Sequence, residues 1–241
     1  MEIRSAVADR LAAAVRESAV DYARYWQELA GEQLRSLIFY GPVVTPRFSS
    51  NRHAARSLAV LSKVDLDLIR RLALDGKRFG KRGLAAPIIM TPDYIRDSLD
   101  TFPLELIEIQ RHHATLLGDD FFCELEFQPE HVRLQCERDL KTLLIGMRQG
   151  LLASAGRDKL LGRLETAAAE TLLRTLRGLL WLKGQGDADG PDELLGGVES
   201  LLNRQLSTVR AVLQGTRGEG WGQFVALYED LEILREKADG W

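Results

Sequence analysis

One short stretch of the chain carries three arginines, Arg47, Arg52 and Arg56, together with a histidine, His53. Guanidinium groups form charge-assisted, bidentate hydrogen bonds with phosphate oxygens. This cluster could therefore bind a phosphate-bearing ligand without a metal. A solvated basic loop is the alternative interpretation, and His53 is expected to be solvated rather than catalytic. The first chemistry that the sequence predicts is thus anion binding.

Carboxylates are scarce around these arginines. The nearest ones downstream are Asp65 and Asp67, which fit the first turn of a helix, where negative charge is favoured. Glu108 follows much later, and one carboxylate alone is a weak Mg²⁺ site. The pair 112–113 consists of two histidines but has no cysteine or carboxylate at metal-ligand spacing. The G-x-S-x-G, H-E-x-x-H, C-x-x-C and Walker A motifs are also missing from the sequence, so it predicts no metal site.

The arginines lie between two predicted strands in the first half of the chain. Apolar spacing predicts helices over residues 3–30 and 65–77, and strands over residues 34–40, 57–61, 84–90 and 104–110. Thr91, Pro92 and Asp93 form a helix-start signal, since Thr can cap, Pro fits the first turn and an acid favours the helix dipole. This order of elements predicts a mixed sheet with flanking helices over residues 1–125.

The second half has helical periodicity almost throughout. Pro129 marks the start of a helix to about residue 155, and a second helix follows over residues 157–183. A third begins at Pro191 and ends in the glycine-rich segment 215–220, and the last covers residues 221–237. Short loops between long amphipathic helices are typical of a bundle. The predicted fold class is therefore α+β, with an all-α helical domain over residues 126–241.

The composition is that of an ordinary globular protein. Of the 241 residues, 45% are hydrophobic and 28% are charged, which excludes a disordered or collagen-like chain. No apolar stretch is long enough to cross a bilayer, and the charged N-terminus is unlike a signal peptide, so we expect a cytoplasmic protein without a membrane partner. The net charge of −3 makes nucleic acid an unexpected ligand. Cys123 and Cys136 are expected to be two buried, reduced thiols.

The segment RSLIFYGPVVTPRFSSNRHAARSLAVLSKVDL, residues 35–66, resembles the nucleotidyltransferase superfamily, which includes the kanamycin nucleotidyltransferases and polymerase β. That superfamily has a strand leading into Gly-Ser, a loop, and a second strand introduced by Asp-x-Asp or Asp-x-Asn. The downstream stretches PIIMTPDYIRDSLDTFPLELIEIQ and LQCERDLKTLLIGMRQG are similar to a bacterial branch with a C-terminal helical domain. The resemblance covers most of the chain.

The resemblance implies particular residues at the catalytic positions, and these residues have changed. Gly41 is kept, Pro42 stands at the Ser position, Ala54 and Arg56 stand at the two carboxylate positions, and Glu108 best matches the third carboxylate. In the family, two carboxylates spaced i and i+2 hold two Mg²⁺ ions for in-line displacement at phosphorus. Pro lacks both an N–H and a hydroxyl, and Ala cannot bind a metal. We expect no intact catalytic residue here, and Arg56 is a candidate partner for Glu108.

Three functions remain open at this point. The first is a catalytically degenerate module that binds a nucleotide or phosphate or acts in regulation, with Gly41, Arg47, Arg52 and Arg56 as phosphate-binding residues and no cofactor. The second is an active nucleotidyltransferase with relocated carboxylates, the only case that requires Mg²⁺. The third is a structural protein that binds a partner. Under any of them the helical domain is a reasonable surface for a homo-oligomer or a protein partner.

Overall fold

A computed structural model of the chain describes residues 1–51, 53–186, 188, 190–216, 220–238 and 240. The chain divides into two compact units, Met1–Glu126 and Phe127–Trp241, and each is described by itself. Along the described residues, no helix is both long enough and apolar enough to cross a membrane.

A four-stranded mixed sheet forms the centre of the N-terminal unit. Its strands are β1 (Leu34–Tyr40), β2 (Arg56–Leu61), β3 (Ile88–Met90) and β4 (His113–Gly118). The order is β3-β2-β1-β4; β1 runs antiparallel to both β2 and β4, whereas β2 and β3 are parallel. The strands predicted over residues 34–40 and 57–61 are confirmed. The predicted strand 84–90 is shorter, because only its last three residues pair with β2. The α+β fold class is confirmed.

Five α-helices of the N-terminal unit lie within its described residues: α1 (Ser5–Ala8), α2 (Ala13–Ala30), α3 (Leu66–Gly80), α4 (Pro92–Asp97) and α5 (Pro103–Arg111). The prediction of one helix over residues 3–30 is wrong, since the chain bends between α1 and α2. At the bend the Ala12 N–H donates to the Val43 carbonyl at 2.9 Å, and Leu11 is buried. The helix start at residues 91–93 is confirmed, because the Thr91 hydroxyl accepts a hydrogen bond from the Tyr94 N–H at 3.1 Å.

The strand predicted over residues 104–110 is also wrong, because this segment is helix α5. Pro103 occupies the first turn of α5, where its missing N–H leaves no helical bond unmade. The apolar residues that gave an alternating pattern, Leu104, Leu106 and Ile109, are all buried together with Ile107. Short apolar runs fit both periodicities. The fourth strand of the sheet, β4, follows directly after this helix.

The core of the N-terminal unit packs helix α2 and helix α3 against the sheet. Tyr22 and Trp26 of α2 are buried, and the Tyr22 ring packs edge-on against Phe79 of α3 with centroids 4.6 Å apart. Gly118 ends β4 with φ of +72°, and a Cβ there would collide with the Arg35 carbonyl. Only glycine allows this close approach of the two strands.

The C-terminal unit is helical, with α6 (Pro129–Ser154), α7 (Asp158–Leu182), α8 (Pro191–Leu202), α9 (Ser207–Leu213) and α10 (Gly220–Ala238) among its described residues. The third predicted helix is divided into α8 and α9, because Asn203 adopts a left-handed conformation with φ of +49° and ends α8. The breaks predicted over residues 184–190 and 215–220 include residues 187, 189 and 217–219, which lie outside the described residues.

Candidate functional site

The candidate site lies where β1 ends and β2 and β4 begin. Tyr40 is opposite Arg56 on one side and opposite His113 on the other. Directly opposed residues of antiparallel strands project to the same face of the sheet. The sheet register therefore places a phenol, a guanidinium and an imidazole in one row, next to the turn at Gly41.

The Arg56 guanidinium is exposed and packs over the Tyr40 ring, with its central carbon 5.3 Å from the ring centroid. This is the geometry of a cation–π contact. The same group reaches across the turn, because a Cβ on Gly41 would lie 2.8 Å from a guanidinium nitrogen. Arg56 is thus held beside the turn in which the resemblance expects a phosphate to bind.

The turn itself offers few backbone donors. Gly41 has φ of +77°, and its N–H donates to the His112 carbonyl at 2.8 Å. Pro42 follows and has no N–H. The first two backbone positions of the turn are therefore closed to a phosphate, so the positive charge of Arg56 is the main attraction for an anion here.

The residues that lead into β2 show an alternation of exposed and buried side chains. Ala54 and Arg56 are exposed, while Ala55 between them is buried and pairs with Leu84. These are the two positions at which the resemblance expects metal-binding carboxylates, and they hold a methyl group and a cation. The four strands carry no Asp or Glu. The residues present do not fit the Mg²⁺ pair of the superfamily, and the described residues contain no group of three or more potential metal ligands.

Glu108 reaches this region from a different element than expected. It lies half-buried on helix α5 rather than on a strand. Burial raises the pKa of the Tyr40 hydroxyl, the positive charge of Arg56 opposes this shift, and the negative charge of Glu108 adds to it. Tyr40 therefore lies within the electrostatic range of both charged groups. A direct ion pair between Arg56 and Glu108 stays a prediction.

The loop between β1 and β2 carries the remaining basic residues. Arg47 is exposed, and its backbone N–H donates a hydrogen bond to the Thr45 hydroxyl at 3.3 Å. His53 accepts a hydrogen bond from the Ser49 N–H at its Nδ1, at 3.4 Å, and this helps to close the loop. Arg52 lies outside the described residues. Of the predicted phosphate-binding residues, the structure brings Gly41 and Arg56 together.

The sequence alone does not indicate that His113, the imidazole of this row, pairs with Asp120. Nε2 of His113 lies 2.9 and 3.0 Å from the two carboxylate oxygens of Asp120, and Nδ1 lies 2.9 Å from the Gln110 carbonyl. Both ring nitrogens of His113 therefore face oxygen atoms. Burial works to raise the pKa of Asp120, but hydrogen bonds from His113 and the Phe122 N–H outweigh it and lower the pKa. No sequence motif predicts this pair, because His113 and Asp120 come together only when the chain folds back after β4.

One of the comparisons with known proteins found a solved structure with a similar fold. The chain matches the crystal structure of spectinomycin adenyltransferase AAD(9) from Enterococcus faecialis with ATP and spectinomycin. The TM-score is 0.58 at 12% sequence identity, and the match covers 93% of this chain and 99% of that one. No family model and no curated protein matches the sequence. The likeness shows that the chain has a nucleotidyltransferase-like fold.

Proposed function

We propose that this protein is a catalytically degenerate member of the nucleotidyltransferase superfamily that binds a nucleotide or another phosphate-bearing ligand as a binding or regulatory module. The observation that carries the proposal is the Arg56 guanidinium at the start of β2, stacked on Tyr40 beside Gly41, at a position where the resemblance expects a carboxylate. The fold supports it, since a neighbour with the same fold was crystallised with ATP.

The charges in the site favour binding over catalysis. Nucleotidyl transfer by two metals depends on carboxylates that hold the ions against the attacking and leaving oxygens. Ala54 supplies no ligand, and the positive charge of Arg56 repels a divalent cation. The same charge attracts a phosphate, and the planar guanidinium can bind two of its oxygens at once. Arg47, exposed on the adjoining loop, is a second candidate phosphate contact.

The first test is thermal unfolding with ATP, GTP, CTP and UTP, each in EDTA and in excess Mg²⁺. A ligand that binds only the native state stabilises it by about 2.7 kcal/mol at one hundred times its dissociation constant. We expect at least one nucleotide to raise the melting temperature in EDTA, without a further rise in Mg²⁺. The substitution Arg56→Ala should remove the shift. Arg71→Ala is the matched control, because it removes an equal charge from the exposed face of α3.

Three outcomes would contradict the proposal. A shift that requires both nucleotide and Mg²⁺ would support an active nucleotidyltransferase with relocated carboxylates. No shift with any nucleotide would favour a structural protein that binds a partner. A shift that persists in the Arg56→Ala variant would place the ligand elsewhere on the protein.

A further inference from the structure

The C-terminal unit contains a cavity of about 770 Å³ that the proposed function does not use. Its walls come from the first half of α7, from the end of α9 together with Gly215 and Thr216, and from the first turn of α10. Both Val212 and Ala167 contribute apolar surface to it. Cavities of a few hundred to about 1,000 Å³ are the size that holds small organic molecules.

Glu165 is the notable residue of this cavity. It lines the cavity from α7, yet only 4% of the residue is exposed. Its Oε1 is buried and has no hydrogen-bond partner among the described residues. Burial raises the pKa of this carboxyl group. Buried polar groups are nearly always paired, and a buried carboxyl oxygen without a partner marks a place where a hydrogen-bond donor is missing.

The other charged side chains of the cavity are exposed and lie nearer to solvent. They are Asp158, Lys159, Arg163 and Glu170. Together with Glu165 they make three carboxylates against two cations. Asp158 lies against Gly220, at the start of α10, where a Cβ would collide with its carboxylate. The absence of a side chain at Gly220 therefore leaves room for the acidic group at this wall.

We propose that this cavity binds a small organic cation whose primary ammonium group donates hydrogen bonds to the carboxylate of Glu165. An ammonium group supplies three donors and the opposite charge, whereas its alkyl chain suits the apolar surface of Ala167 and Val212. A metal ion is a poorer fit. The described residues offer no cluster of three metal ligands, and the cavity is far larger than an ion needs.

The test is isothermal titration calorimetry of the full chain with butylamine, 1,4-diaminobutane and spermidine, and with 1-butanol as the uncharged counterpart. We expect at least one amine to bind with a stoichiometry of one, and 1-butanol not to bind. Glu165→Gln should weaken the binding by about tenfold or more, since a charge-assisted hydrogen bond becomes a neutral one. Glu229→Gln is the matched control, because it removes the same charge from an exposed position on α10.

A second variant tests the cavity without changing its charge. Ala167→Phe fills part of the space and leaves Glu165 intact, so it should also weaken amine binding by about tenfold. Circular dichroism of each variant checks that the helices are retained. The proposal is wrong if no amine binds at millimolar concentration, or if the Glu165→Gln and Ala167→Phe variants, folded as the parent, bind amines as the parent does.

Discussion

The position of the Arg56 guanidinium depends on Gly41, although the two residues are not neighbours in the sequence. Gly41 adopts a left-handed conformation, and its missing side chain leaves the space that the Arg56 guanidinium enters. The guanidinium then reaches Tyr40 and lies across the turn. At the scale of single residues, the candidate site consists of a small residue that makes room and a cation that uses it.

A substitution at Gly41 tests this dependence. Gly41→Ala should destabilise the protein by about 1 kcal/mol, because a left-handed backbone strains an L side chain. It should also weaken nucleotide binding, since the new methyl group displaces the guanidinium. The measurement is the urea midpoint followed by circular dichroism, together with the nucleotide thermal shift.

Gly76→Ala in the interior of α3 serves as the control. A Cβ there meets nothing within 4 Å, and the backbone is helical. This variant should gain about 0.5–1 kcal/mol from the higher helix propensity of alanine. Equal stabilities for the two variants would show that Gly41 does not need its special conformation.

Helix α3 shows how one residue sets the start of an element. Asp65 precedes the helix, and its carboxylate accepts hydrogen bonds from the N–H groups of Asp67 at 3.0 Å and Leu68 at 3.2 Å. Gln33 adds a third donor at 3.4 Å. The bond from the Leu68 N–H is the largest reason why the pKa of Asp65 falls below its ordinary value of 3.8. Helix capping thus also makes the stability of this element depend on pH.

The sign of this dependence follows from the lowered pKa. The charge of Asp65 stabilises the folded protein above the unfolded pKa, and this stabilisation is lost as the pH falls through the lower folded pKa. Asp65→Asn keeps the capping oxygen without the charge. The melting temperature of the parent should exceed that of the variant at pH 6, and the difference should shrink toward pH 3. A difference that stays constant over this range would contradict the assignment.

The chain divides into two compact units, and each unit carries one cysteine. Cys123 of the N-terminal unit is exposed, whereas Cys136 on α6 is buried. The expectation that both thiols are buried is therefore wrong for Cys123. Burial, with a further contribution from the negative charge of Asp139, raises the pKa of the Cys136 thiol to about 12. The thiolate is the reactive form, so Cys136 should react only when the C-terminal unit opens, whereas the exposed Cys123 should react in the folded protein.

Thiol labelling with iodoacetamide should report the unfolding of the C-terminal unit through Cys136, with the exposed Cys123 as the reference for native labelling. In the Cys123→Ser variant the native protein should remain unlabelled, and labelling should begin only as urea opens the C-terminal unit. In the Cys136→Ser variant one label should be added without denaturant. The readout is intact mass at increasing urea concentrations. Rapid native labelling of Cys123→Ser would show that Cys136 is accessible in the folded protein.

The elements that were predictable are those with unambiguous local signals. The apolar runs of β1 and β2 predict these two strands, and the capping residue Thr91 predicts the start of α4. The residues of helix α5 predict a strand in error, because their apolar positions fit both the helical and the strand period. Only the packing in the folded protein decides between these two structures.

The candidate site shows more clearly which features the sequence does not predict. The assignment of Ala54 and Arg56 to the carboxylate positions comes from the resemblance to the superfamily and stays a prediction. The contact of Arg56 with Tyr40 and the pairing of His113 with Asp120 depend on the register of three strands and on the path of the chain after β4. Such long-range geometry is not encoded in local residue patterns.

The closed backbone of the turn at Gly41 has a consequence for solution conditions. With its N–H already bonded to His112 and Pro42 lacking one, the attraction for an anion comes chiefly from an exposed guanidinium. Mobile ions screen such a charge, and the screening length falls from about 30 Å at 0.01 M ionic strength to about 8 Å at 0.15 M. Under the proposed function, ligand occupancy of this site should therefore fall as the ionic strength of the medium rises.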